Sequence, residues 1–156
     1  MRLLSTQGLN QHFVDVYSRL DGVGRLDFKM NPSGRSSARK LEIDLFIPGF
    51  EDPSEFSDEV QFRYQEWWHQ SSLGWLKVRY DYDYFSLLDY SRRGYHLHPL
   101  KSKSSVPHQI CIRSDGSGTG YHYEALEVDL LEVHKEFEVL YESNTPIDCR
   151  YLKRID

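Results

Sequence analysis

Two histidines two residues apart, His96 and His98, carry the sharpest chemical signal in the chain. Side chains alternate along a strand, so both rings fall on one face, opposite Tyr95 and Leu97. Imidazole titrates near neutrality, so one ring can accept a proton while its neighbour donates one. Asp81 supplies a carboxylate that would orient one of the rings. His108, which follows Pro107 at the start of the next strand, approaches the pair if those strands are neighbours, and their register is left open. Read this way, the cluster is an acid–base centre that calls for no metal and no cofactor. A second reading is a metal site, with Asp81 or Asp83 completing a histidine set, although no established metal-ligand spacing is present. A third is a non-catalytic binding module whose histidines are ordinary surface residues.

Lys77, Arg79, Asp81 and Asp83 alternate along the preceding strand. They form either a solvated face of cross-strand ion pairs or an anion clamp. In the clamp, Arg79 joins Arg92 and Arg93 to grip phosphate through planar guanidinium groups. Tyr80, Tyr82 and Tyr95 then either stack nucleobases or fill the core. The glycine-rich stretch 115–120 lacks the phosphate-loop pattern and reads as a hairpin turn. Trp67, Trp68 and Trp75 read as core or partner-contact residues. Cys111 sits mid-strand, as a small buried residue rather than a nucleophile.

The elements that must position these groups are strands. Val60–Trp68 and Trp75–Tyr84 are rich in aromatic and β-branched residues and flank a short polar segment containing Gly74, the signature of an antiparallel hairpin. In the second run Leu76, Val78, Tyr80, Tyr82 and Tyr84 are expected on one face, with Lys77, Arg79, Asp81 and Asp83 on the other. Apolar residues at Leu9, Phe13, Val16, Tyr17 and Leu20 have helical spacing, with Thr6 or Asn10 as cap. Arg25–Met30 and Lys40–Ile47 read as strands, with a turn at 31–34 between them. The stretches 48–57 and 101–105 read as loops, and 85–93 as a loop or a single helical turn. Tyr95–His98 and His108–Arg113 are further strands, and 121–128 is a candidate last one. Asp129 and Glu132 have capping-box spacing ahead of a helix with Leu130, Val133, Phe137 and Leu140 on one stripe, ending near Ser143-Asn144. Helix, hairpin-linked strands, helix: the expected fold is α+β, a single antiparallel β-sheet of about six to seven strands with both helices on one face.

The 156 residues fit one domain able to bury a core. Hydrophobic content of 39% beside 28% charged residues is globular rather than disordered. A net charge of −5 gives no global field for nucleic acid, although a local basic site is compatible with it. The two cysteines suggest neither a disulfide scaffold nor a metal motif. No long apolar run reads as a membrane span and none as a signal peptide, so the expectation is a cytoplasmic protein with no membrane partner.

Phe62-Arg-Tyr64, Leu76-Lys-Val-Arg-Tyr-Asp81, His96-Leu-His98 and Pro107-His108 together resemble the TumE-type toxins of prokaryotic toxin–antitoxin pairs, over about Val60–Tyr141. The segment 85–93 departs from that family's histidine-proline stretch. The resemblance implies a small toxin neutralised by a cognate antitoxin protein. Joined to the histidine cluster, it gives the expectation of an enzyme acting on RNA or a nucleotide. His96 and His98 would be base and acid, Asp81 the orienting carboxylate, and Arg79, Arg92, Arg93, Tyr80 and His108 the substrate contacts.

Overall fold

The computed structural model describes residues 2–32, 37–48, 58–101, 104–143 and 146–155. A short strand β1 (Leu3–Leu4) leads into helix α1 (Thr6–Leu20). Seven further strands follow: β2 (Arg25–Pro32), β3 (Ala38–Pro48), β4 (Asp58–Ser71), β5 (Gly74–Ser86), β6 (Arg92–Pro99), β7 (Ser105–Ile112) and β8 (Tyr123–Glu124). Helix α2 (Leu130–Ser143) comes last. From β2 to β8 each strand pairs antiparallel with the next in sequence, and β1 adds to the Trp75–Leu76 end of β5. The fold is the expected α+β meander with a helix from each end of the chain.

Both helices lie on one face. Leu9, Phe13, Val16 and Leu20 of α1 and Leu130, Val133 and Phe137 of α2 share one buried cluster with Leu41, Ile43 and Leu45 of β3, Phe62 and Tyr64 of β4, and Tyr80 and Tyr82 of β5. The helical spacing of those residues and the period-two spacing of the strands meet in this one layer. Ser5 caps α1, accepting from the amide of Gly8 at 3.0 Å, ahead of the expected Thr6 or Asn10. At α2 the capping box forms as expected. Asp129 accepts from the Leu131 amide at 3.1 Å and Glu132 from the Asp129 amide at 3.3 Å.

Four features depart from the sequence expectation. The register of the β4–β5 ladder slips between Trp67↔Arg79 and Trp68↔Lys77, leaving Val78 as an extra residue. A bulge of this kind reverses the alternation, so Lys77 is buried on the helix side while Arg79, Asp81 and Asp83 stay on the other. Strand β5 runs on to Ser86 and β6 begins at Arg92, so the 85–93 loop shrinks to a tight connection. The expected strand at 121–128 is only Tyr123–Glu124, and β2 runs through Pro32. The rest of the expected 31–34 turn, the 49–57 part of the expected loop, and Asn144 lie outside the described residues.

The cysteines are the fourth. Cys111 and Cys149 form a disulfide, with Cα atoms 5.8 Å apart. Cys111 is on the helix side of β7, and the C-terminal segment returns alongside β8, where the Glu124 amide donates to the Lys153 carbonyl at 2.8 Å and the Ile155 amide to the His122 carbonyl at 3.0 Å. Spacing alone does not reveal a partner 38 residues away. Disulfides persist in oxidising surroundings and are rare in a reducing cytoplasm, so this one lends no support to a cytoplasmic location. No helix among the described residues is long and apolar enough to cross a membrane.

Candidate metal centre

Strand alternation places Arg92, Gly94, His96 and His98 on the face of β6 away from the helices, and Arg93, Tyr95 and Leu97 toward them. Across the ladder, His96 stands opposite Asp81 of β5 on one side and opposite His108 of β7 on the other. The rings gather accordingly. Ring centres of His98 and His108 are 4.5 Å apart, and His96 lies 5.6 Å from each. His122, just ahead of β8, adds a fourth ring 5.0 Å from His108. His96 and His108 are almost wholly buried, whereas His98 is partly exposed.

Hydrogen bonds fix which nitrogen of each ring carries a lone pair. His108 Nδ1 lies 2.8 Å from the Val106 carbonyl and His98 Nδ1 lies 3.0 Å from the Pro99 carbonyl. A carbonyl only accepts, so both Nδ1 atoms donate, and Nε2 is the lone-pair nitrogen of each neutral ring. His96 Nε2 lies 3.0 Å from Asp83 Oδ1, so in the neutral ring its Nδ1 is the acceptor. His96 Nδ1, His108 Nε2 and Asp81 Oδ1 are all buried without a hydrogen-bond partner among the described residues. Asp81 Oδ1 lies 3.7 Å from His96 Nδ1. One nitrogen from each of His96, His98 and His108 falls within 4.8 Å of the others. Burial pushes the His108 pKa down, aided by the neighbouring histidines and only partly opposed by the Val106 carbonyl, to about 4. Its ring is therefore neutral near neutral pH.

Around this set lies a second layer. Asp83 is buried and accepts from Arg92 Nε at 2.9 Å. Gly94 leaves the room this requires, because a Cβ there would collide with Asp83 Oδ1 and stand 3.1 Å from His96 Nε2. Asp81 is oriented through its other oxygen, which accepts from Arg79 Nη2 at 2.8 Å and Nε at 3.2 Å. Carboxylates and carbonyls that anchor the far nitrogen of an imidazole are the usual support of a metal-ligating histidine. A cavity of about 680 Å³, bordered by His98 and His122 and otherwise by Pro99, Leu100, Lys101, Val106, Gly120 and Ile155, opens beside the cluster.

His96, His98, His108 and Asp81 are thus brought together. The arginines and tyrosine are not. Arg93 is on the helix side, buried 5.2 Å over the Tyr95 ring and 3.7 Å from Glu136. Arg92 and Arg93 are adjacent on a strand and so point to opposite faces. Tyr80 is also on the helix side, stacked 4.6 Å from Tyr82. Arg79 stays on the histidine face but is engaged by Asp81 and stacked 4.4 Å over Trp67. The three-arginine clamp and its stacking tyrosine do not assemble. Residue type does not disclose Asp83 as the His96 anchor or Gly94 as its space-maker. Once both are placed on β5 and β6 their shared face is available from alternation, but their pairing requires the register. No family model, curated protein or solved structure matches the chain.

Proposed function

We propose that this protein binds one divalent first-row transition ion, of the zinc class, through His96 Nδ1, His98 Nε2, His108 Nε2 and Asp81 Oδ1. The observation that carries the reading is the closeness of one nitrogen from each of three histidines, within 4.8 Å, together with buried unpartnered atoms on His96, His108 and the adjoining Asp81 whose opposite atoms are anchored. A buried polar atom without a partner costs about 1–3 kcal/mol, and one cation relieves all three. Imidazole and carboxylate donors suit zinc, iron, nickel and copper, and zinc prefers four such ligands. The same atoms fit acid–base work less well, since His96 and His108 are sealed from solvent.

The test is a titration of chelator-treated protein with zinc. One equivalent should bind and raise the melting temperature, and His108→Ala should abolish both effects with the fold retained by circular dichroism. No stoichiometric uptake, or an unchanged isotherm in His108→Ala, would overturn the reading.

A hydrolytic role is the second reading, favoured by the cavity beside partly exposed His98. A bound ion there lowers the pKa of a water to near 7, which suits cleavage of a phosphodiester. The nuclease expected from the sequence is a metal-independent toxin with a protein antitoxin, in which His96 and His98 are base and acid; this reading keeps its substrate class and partner and puts a bound ion in place of the acid–base pair. Induced wild type should arrest growth and degrade RNA, and His96→Ala/His98→Ala should do neither. Equal growth of both strains would remove it while leaving metal binding in place.

A further inference from the structure

The two edges of the sheet end differently. Beyond β8 the returning C-terminal segment continues the pairing, with Tyr123 bridged to Arg154 and the Glu124 amide donating to the Lys153 carbonyl at 2.8 Å. At the other edge, β2 pairs only with β3 among the described residues, over 8 residues and with no bulge. A long, regular edge is a template for another strand, and proteins usually blunt it with shortness, a bulge or repelling charge.

Alternation divides the side chains of β2 between two faces. Leu26, Phe28 and Met30 stand on the helix side, opposite Leu45, Ile43 and Leu41. Leu26 and Phe28 pack on the core cluster, whereas Met30 is 44% exposed. Asp27 and Lys29 are on the other face, 3.2 Å apart and both largely exposed. Helix α1 runs back along this edge. Tyr17 meets Phe28 edge to face at 5.3 Å, and Asn10 accepts at 3.0 Å from Arg39, the ladder partner of Pro32. Val14 lies between those two turns, and it is exposed, as is Tyr17. The edge therefore carries an open apolar strip of Val14, Tyr17 and Met30 on one face and a pair of opposite charges on the other.

Antiparallel pairing of two such edges about a two-fold axis sets same-face residues opposite one another. An axis on Asp27 would face Asp27 with itself, and an axis on Lys29 would face Lys29 with itself. An axis on Phe28 sets Asp27 of each copy against Lys29 of the other, Leu26 against Met30, and Phe28 against Phe28. Opposite charges directly across a ladder attract and like charges repel, so this register suits both faces at once.

We propose that β2 pairs with β2 of a second copy of this chain, with the two-fold axis on Phe28. The two sheets join into one, and Val14, Tyr17 and Met30 of both copies close the apolar layer over the join. The interface is separate from the histidine cluster, which lies across the sheet on β6 and β7.

The experiment is sedimentation equilibrium of the full chain over a dilution series. The wild type should be a reversible dimer. Asp27→Lys and Lys29→Asp each put like charges opposite one another at exposed positions, and each should raise the dissociation constant on the order of tenfold. The double variant Asp27→Lys/Lys29→Asp restores opposite charges and should recover the dimer. An equimolar mixture of the two single variants should associate more tightly than either alone, because every charge in the mixed pair then faces its opposite. Circular dichroism checks that each variant keeps its fold. The proposal is overturned if the wild type stays monomeric, if either single variant dimerises as tightly as the wild type, or if the mixture associates no better than its parts.

Discussion

Glu66 on the helix side and the Asp81–His96–His108 group on the other side are both buried and ionisable, yet their hydrogen bonding is opposite. Four donors from His12, Trp68, Tyr82 and Lys77 converge on the two oxygens of Glu66. Asp81 Oδ1 lies 3.7 Å from His96 Nδ1, the rings of His96, His98 and His108 gather beside them, and Asp81 Oδ1, His96 Nδ1 and His108 Nε2 have no hydrogen-bond partner among the described residues. Both groups arise from the same period-two alternation on β4 to β7, so burial alone does not separate them. The difference lies in what each lacks: the Glu66 group is complete within the protein, whereas acceptors gathered without a donor are complementary to a cation. Replacing a member of a closed network should chiefly cost stability, and replacing a member of the open one should chiefly cost affinity for the ion.

The largest stability loss is expected for Glu66→Gln. It leaves the Lys77 ammonium buried without its counter-charge and turns an amide donor toward other donors, and breaking a buried pair this way costs about 3–5 kcal/mol. Urea unfolding measures it, and Glu66→Gln/Lys77→Met should recover part of the loss. The pair also predicts an acid limb. Burial raises the Glu66 pKa, but the His12 hydrogen bond, the Lys77 charge and the Tyr82 hydrogen bond outweigh it and hold the value at about 2 against an ordinary 4.5. Because the folded value is the lower one, the unfolded chain binds more protons as the solution is acidified. The stabilisation is therefore whole above about 4.5 and is lost as pH falls through about 2. The wild-type minus Glu66→Gln stability difference should shrink over that window. A difference independent of pH would mean that Glu66 is not held ionised.

Placing these two groups on their faces is only partly within reach of the sequence. The alternation of Tyr95, His96, Leu97 and His98 fixes the histidine face, and that of Tyr80, Asp81 and Tyr82 puts Asp81 where it belongs. Alternation misplaces Lys77, because a bulge at Val78 is a property of the β4–β5 pairing and leaves no mark in the β5 residues themselves. Arg93 groups with Arg92 only if the stretch is a loop, where neighbours can share a direction; as strand it forbids that. His108 joins the cluster through its register opposite His96, which depends on how β6 and β7 close and not on either strand alone. The Val106 and Pro99 carbonyls that set the ring tautomers are backbone atoms, invisible to residue type. The Cys111–Cys149 pair escapes the sequence for a similar reason, since only the folded return of the C-terminal segment brings the two together.

On the histidine face, Gly94→Ala should act next most strongly. The added Cβ collides with Asp83 Oδ1, and forcing atoms into a packed site costs about 1–3 kcal/mol. It should also weaken zinc binding by displacing the anchor of His96. Asp83→Asn isolates that second effect. Arg92 loses its counter-charge, but the shape is kept, and losing a carboxylate behind a ligating histidine typically weakens metal affinity about 10–100-fold. A calorimetric zinc titration reads both variants. If Asp83→Asn binds zinc as tightly as the wild type, His96 is not held by Asp83 in the bound state, and the open network is not organised as its hydrogen bonds imply.

Arg79→Met should have the smallest effect, and for that reason it separates the two readings of this face. The Arg79 side chain is 48% exposed. Its pair with Asp81 is therefore screened by solvent and should contribute less than about 1 kcal/mol to stability. Methionine retains much of the apolar stem over Trp67. If the face is a metal centre, Arg79 only steadies the far oxygen of Asp81, and zinc affinity should fall by a few-fold at most. If the face grips phosphate, Arg79 is a principal contact. RNA affinity should then drop and its dependence on salt should flatten, because one fewer phosphate is neutralised. Measuring zinc and RNA binding side by side on this one variant assigns the residue: a change confined to the RNA titration favours the clamp, and a small change confined to zinc favours the metal centre.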